Sequence, residues 1–202
     1  MHIEFFVEEP SAEAALINLA PALLPQEASY AFHVFNGKPD LLKKAPQRLR
    51  AYRRWIPGNW RIVVLIDEDR RDCRELKARL ERTAIDSGFV TKSSVTGHAE
   101  FQVLNRITVE ELEAWFLGDV EAITSAYPRV SAKALGKPKY QDSDAIAGGT
   151  AEALEQVMKK AGYYPGGMPK IEVAARISSV MDPMRNRSRS FQVFREGLAA
   201  LA

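Results

Sequence analysis

Ile62-Val63-Val64-Leu65-Ile66, followed at once by Asp67-Glu68-Asp69, is the stretch that decides the fold. A short, β-branched apolar run of this kind predicts a strand buried on both faces, as in parallel sheets covered by helices. In an extended backbone, residues two apart share a side. Asp67 and Asp69 are therefore expected to aim two carboxylates at one point at the mouth of the sheet. Two anions on one spot repel unless a cation separates them, and a hard divalent ion such as Mg²⁺ suits oxygen ligands.

Outward from this strand the same rhythm repeats. His2 to Val7 predicts a strand, Glu8-Glu9-Pro10-Ser11 a turn, and Ala12 to Leu24 a helix, with Ala15, Leu16, Leu19 and Leu23 at helical spacing. Ser29 to Phe35 predicts a second strand. Asn36-Gly37-Lys38-Pro39 predicts a turn, and Asp40 to Trp55 a helix interrupted or kinked near Pro46. Arg61 to Ile66 is the third strand and Arg70 to Ser87 a helix. A fourth strand is expected within Ala99 to Ile107, with helices over Val109 to Leu117 and from Asp119 to Tyr127. Alternating strands and helices imply an α/β fold: an open, mainly parallel sheet flanked by helices. Ligands of such sheets gather at the carboxyl ends of the strands. Glu8 and the Asp67/Asp69 pair both fall there.

After Tyr127 the pattern changes. Residues 128–149 carry little periodicity, and Thr150 to Ala161, Pro169 to Met181 and Ser190 to Leu201 read as helices. The expected organisation is an α/β domain over 1–127 with a C-terminal helical elaboration over 128–202 packed on it.

Composition narrows the function classes. The chain has 202 residues, 46% of them hydrophobic, with a net charge of +2, so bulk charge demands no polyanionic partner. Cys73 stands alone, which excludes an internal disulfide and fits a reducing cytoplasm. No run of about 18 apolar residues predicts a membrane span. His2, His33 and His98 are scattered, so no zinc signature exists. Gly148-Gly149-Thr150 and Gly166-Gly167 lack the spacing of a phosphate loop.

Phe6-Val7-Glu8-Glu9-Pro10-Ser11 and Val64-Leu65-Ile66-Asp67-Glu68-Asp69 together resemble the two motifs of the Toprim fold of topoisomerases, bacterial primases and OLD-family nucleases. A closer resemblance is to a small bacterial Toprim-like family known as a domain of unknown function, commonly encoded beside ABC- or SMC-like ATPases. It is carried by Val7 to Glu13, Phe35 to Leu42, Leu65 to Cys73, Glu111 to Asp119, and Ser188-Arg189-Ser190-Phe191. The resemblance implies a Toprim-like Rossmannoid sheet and a Mg²⁺-dependent (or Mn²⁺-dependent) phosphotransfer enzyme, in first place a nuclease acting on nucleic acid. It also implies an ATPase partner and a role in phage defence or nucleic-acid maintenance.

By the same resemblance, Glu8 is general acid/base or metal ligand, and Asp67 and Asp69 hold the ion. Glu113, then Glu111, and Glu13 complete the site or hold a second ion. Lys38 and Arg189 are expected phosphate contacts. Two departures stand out. Glu9 occupies a place where many Toprim proteins have Gly, and Glu13 sits one residue later than the commonest spacing. The Glu9 departure keeps open a second function: a non-catalytic, Toprim-shaped binding subunit of an ATPase complex. A DxD nucleotide-sugar transferase is a weaker third, because no nucleotide-binding signature precedes the triplet.

The basic run Lys43, Lys44, Arg48, Arg50, Arg53, Arg54, with Trp55 and Trp60 close behind, reads first as a solvated helix face. Leu41, Leu42, Leu49 and Ile56 would then point inward. Asn186-Arg187-Ser188-Arg189-Ser190 is a second basic patch, read as facing phosphate.

Overall fold

A computed structural model describes residues 1–69, 72–97 and 99–201. Four parallel strands, β1 (His2–Val7), β2 (Ser29–Val34), β3 (Trp60–Asp67) and β4 (Val103–Thr108), form one open sheet in the order β2-β1-β3-β4. The α/β expectation holds, and the sheet is entirely parallel rather than mainly so.

Strict alternation along β1 and β3 divides the core in two. Ile3, Phe5, Val7, Val63 and Leu65 face one side; Phe6, Ile62, Val64 and Ile66 face the other. The first side is covered by α1 (Pro10–Leu23), α4 (Glu113–Leu117), α5 (Val120–Ala126), α6 (Ala132–Leu135), α7 (Thr150–Lys160), α8 (Lys170–Ser178) and α9 (Arg189–Ala199). The second side is covered by α2 (Gly37–Arg53) and α3 (Cys73–Asp86). The C-terminal helices thus share a core with β1 and α1. Residues 128–149 lack periodicity because they are short turns, yet Val130, Leu135, Tyr140 and Ile146 are buried in that core.

Strand order creates the crevice. β1 and β3 are neighbours, with Val7 opposite Leu65. The chain leaves β1 into α1 on one face and leaves β3 towards α3 on the other. Connections diverging to opposite faces open a gap between the carboxyl ends of two adjacent strands, the switch point where α/β sheets bind ligands.

Several expected boundaries move. α2 begins at Gly37, so Asn36 to Pro39 is a helix entry rather than a separate turn, and the helix runs unbroken through Pro46. The helix expected from Arg70 begins among the described residues at Cys73; Arg70 itself, like His98, lies outside them. The helix expected over Val109 to Leu117 is confined to α4, because Glu110 takes φ +59° and breaks the preceding turn.

Candidate functional site

Glu8 follows the last residue of β1 and is buried at 6% exposure. Its carboxylate accepts from the amide of Lys38 at 2.9 Å and from the amide of Asp67 at 3.1 Å. One side chain therefore ties together the ends of β1 and β3 and the start of α2. Burial pushes the Glu8 carboxyl up; the Asp67 amide and Lys38 oppose that push. Glu9 sits at φ −136° as the residue before α1, so this turn needs no glycine. The extra carboxylate joins the site electrostatically, acting on Glu8, Asp67 and Glu113.

The extended backbone on which the same-side expectation for Asp67 and Asp69 rests ends between them. β3 ends at Asp67, and Asp69 takes φ +51°, a left-handed conformation that Asp tolerates better than most residues. The turn is held by Glu68 N–H donating to Thr108 O and Asp69 N–H to Glu110 O, both at 2.9 Å. Asp69 swings outward, and its carboxylate accepts from the Lys38 ammonium at 2.7 Å. That ammonium, 4% exposed, also donates to the Glu68 carbonyl at 3.0 Å. Lys38, expected to contact phosphate, is spent inside the protein. Asp67 turns inward. Burial pushes its carboxyl well above the usual range, and Glu8, Glu113, Asp69 and Glu9 push it further. Among the described residues no donor bonds to this carboxylate.

Glu113 opens α4 and is buried at 3% exposure; burial is again the main cause of its raised pKa. Glu111 lies just outside the helix. That placement lets both carboxylates reach the Lys170 ammonium, each at 3.8 Å, although residues two apart on a helix would diverge. Glu111 has a second task. It accepts from Ala151 N–H at 2.9 Å and from the Thr150 hydroxyl at 3.3 Å, capping α7, whose preceding Gly149 has no side chain to do so. Glu111→Ala is therefore expected to cost about 1 kcal/mol, the usual cost of a lost N-cap, read as a lower urea midpoint. An unchanged midpoint would show that the cap contributes nothing.

Four carboxylates from three elements, Glu8, Asp67, Glu113 and the neighbouring Glu9, thus surround one crevice, with Lys170 as a cation on its rim. The donor set is all oxygen and anionic, which suits a hard divalent ion. Among the described residues no three His, Cys, Asp or Glu side chains stand at ion-sharing distance. Asp69 is drawn away to Lys38 and Glu8 is tied to two amides.

Other expected residues stay apart from this group. Glu13 lies half-buried in the first turn of α1 with no contact to the carboxylates among the described residues. Arg189 is exposed at the start of α9, where it pairs with Glu196 at 3.6 Å. Its motif is a clasp. Ser188 caps α9 by accepting from Phe191 N–H, Ser190 accepts from the Trp115 indole at 3.0 Å, and both hydroxyls donate to Asp144. Cys73 is half-buried, and burial with nearby Glu68 raises its thiol, so no thiolate is stabilised. On α2, Leu41 and Leu49 are buried while Lys43, Lys44, Arg50 and Arg53 are exposed, as the amphipathic reading expects.

Lys170 escaped sequence reasoning, and Glu9 entered it only as a departure from the Toprim pattern. One signal for Lys170 was present: a lysine in the first turn of a helix opposes the macrodipole. Its place is explained by Glu113, Glu111, Glu9 and Asp67, which raise its pKa against burial.

A family model described as "Domain of unknown function (DUF4276)" matches residues 7–199. No curated protein and no solved structure matches the chain. Among the described residues no helix is long and apolar enough to cross a membrane.

Proposed function

The chain belongs to the DUF4276 family, and from that premise we propose that it is a Mg²⁺-dependent, Toprim-like phosphodiester hydrolase acting on nucleic acid with an ATPase partner, in defence or nucleic-acid maintenance. The observation that carries the reading is Asp67: a half-buried carboxylate at the β1/β3 switch point, close to Glu8 and Glu113. Clustered negative charge in a crevice at the carboxyl ends of parallel strands, with Lys170 alone on its rim among the described residues, suits a further cation.

Asp67, Glu113 and Asp69 would hold the ion. When bound, it supplies Lewis-acid polarisation of the scissile phosphate. Glu8, with a raised pKa and a fixed position, takes the proton of the attacking water. The water oxygen bonds to phosphorus as the bond to the leaving sugar oxygen breaks. Lys170 offsets the charge of Glu111 and Glu113. Lys38 locks the Asp69 turn rather than touching substrate.

The test is cleavage of single-stranded, double-stranded and nicked DNA and RNA in Mg²⁺ or Mn²⁺ against EDTA, with Glu113→Gln and Glu8→Gln beside wild type. Metal-dependent cleavage, reduced at least about a hundredfold in both variants, is expected. Cleavage equal in all three proteins would remove the site assignment. The docking-subunit reading has one observation in its favour: both Glu8 oxygens already serve backbone amides. It predicts no turnover even with the ATPase present.

A further inference from the structure

On the C-terminal helices, away from the carboxylates, lies a cleft of about 150 Å³ whose lining includes Arg129, Lys137, Lys139 and Lys160 but no Asp or Glu. All four cations are exposed, and among the described residues none is in an ion pair. In a chain of net charge +2, this is a local concentration of positive charge. On an adjoining surface, Glu152 shares a neighbouring cleft with Lys139.

Two aromatic rings stand beside the cations. The Arg129 guanidinium lies 4.0 Å from the Tyr163 ring centre, and the Lys139 ammonium 4.6 Å from that of Tyr140. Lys160 also suits the C-terminal end of α7, where cations are favoured anyway. Lys137 and Lys139 have no such excuse, because one precedes and the other lies within a single short turn, Pro138–Tyr140. Cations interleaved with aromatics suit a sugar-phosphate backbone better than a membrane, which would want an exposed apolar rim.

The geometry points to this cleft as a binding site for the phosphate backbone of a nucleic-acid strand, which deepens the nuclease reading and rests on it for the strand's course. α7 is the ruler. Its first residues, Thr150 and Ala151, bond Glu111, while its last, Lys160, lines the cleft. Its 11 residues span about 16 Å at ~1.5 Å per residue. Phosphates of one duplex strand recur about every 3.4 Å. A strand with its scissile phosphate at the carboxylates therefore presents a phosphate roughly four or five positions along to the cleft.

The test is fluorescence anisotropy of the full chain in EDTA, with labelled single-stranded and duplex DNA of about 20 nucleotides. Lys137→Glu/Lys139→Glu/Lys160→Glu is compared with a charge-matched control on α2, Lys43→Glu/Arg50→Glu/Arg54→Glu. The cleft variant is expected to lose at least tenfold in affinity. Its slope of log K against log salt should flatten by roughly two to three. The control should bind like wild type. Equal losses in both, or none in the cleft variant, would overturn the proposal. So would binding of phosphatidylserine vesicles or polyglutamate in place of DNA. The two readings fail separately. Cleft-dependent binding without cleavage removes the nuclease and leaves the cleft. Cleavage with unaltered binding in the cleft variant does the reverse.

Discussion

Asp67→Asn is expected to raise the melting temperature of the metal-free protein at neutral pH and to erase its response to Mg²⁺. The Asp67 carboxyl is held well above its ordinary value, first by burial and then by Glu8, Glu113, Asp69 and Glu9. An acid whose pKa is raised by folding binds its proton more tightly in the native state. Its contribution to stability is therefore unharmed below the unfolded value near 3.9, and is lost progressively as pH climbs towards the folded value. Asn removes that loss and keeps the shape. Each unit between the two values is worth about 1.4 kcal/mol, and each kcal/mol is about 2–4 °C for a chain of this size. The gain should vanish near pH 3, where wild type is protonated. Mg²⁺ at a hundred times its dissociation constant should stabilise wild type by about 2.7 kcal/mol and leave Asp67→Asn unmoved. Scanning calorimetry in EDTA and in Mg²⁺, at pH 3 and pH 7, reads all of this. Equal Mg²⁺ shifts in both proteins would refute Asp67 as a ligand; a lower melting temperature at pH 7 would refute the repulsion.

Trp115→Ala is expected to destabilise the chain by about 3–5 kcal/mol, the range for truncating a buried aromatic. Trp115 is fully buried. Its ring lies 5.1 Å from that of Phe191 and 4.9 Å from that of Phe194, and its indole N–H donates to Ser190. Asn186 binds the Trp115 carbonyl at 2.7 Å. Beside it, a Cβ added to Gly118 would come within 2.4 Å of the Asn186 amide oxygen and 2.8 Å of Ser188 N, so the α4–α9 contact has no slack. Trp115→Phe keeps most of the packing and loses one hydrogen bond, worth about 1 kcal/mol. Urea denaturation of both variants should rank them in that order. A Trp115→Ala loss under about 1 kcal/mol would mean that the clasp does not hold α4. Because Glu113 sits two residues before Trp115, loosening the clasp should also loosen the carboxylate crevice.

These two results bracket what could be read from the chain. Strands and their alternation were legible, because burial on both faces leaves a continuous apolar run and burial by helices leaves a 3.6-residue period. Glu8 and Asp67 were legible as acids at strand ends, whereas Glu113 came from the family resemblance and was expected inside a helix. The placement of Asp69 was not, since the left-handed backbone there departs from the extended chain that the same-side argument assumed. For Lys38 and the Asn186 to Ser190 run, positive charge pointed to phosphate and said nothing of partners inside the protein. In the fold Lys38 is bound by Asp69, and the serines and Asn186 by Trp115, Phe191 and Asp144.

By itself, then, the sequence determined the class of fold, the acids at the strand ends and the oxygen-rich chemistry they offer, because these follow from local periodicity and residue type. Only the tertiary structure decided the strand order that sets Glu8 against Asp67. Only it could bring Lys170 to Glu113, or join the Trp115 and Ser188 to Phe191 motifs into one clasp. Each is a contact between residues 50 or more apart in the chain, and such contacts are chosen by packing across the whole core rather than by any neighbouring residue.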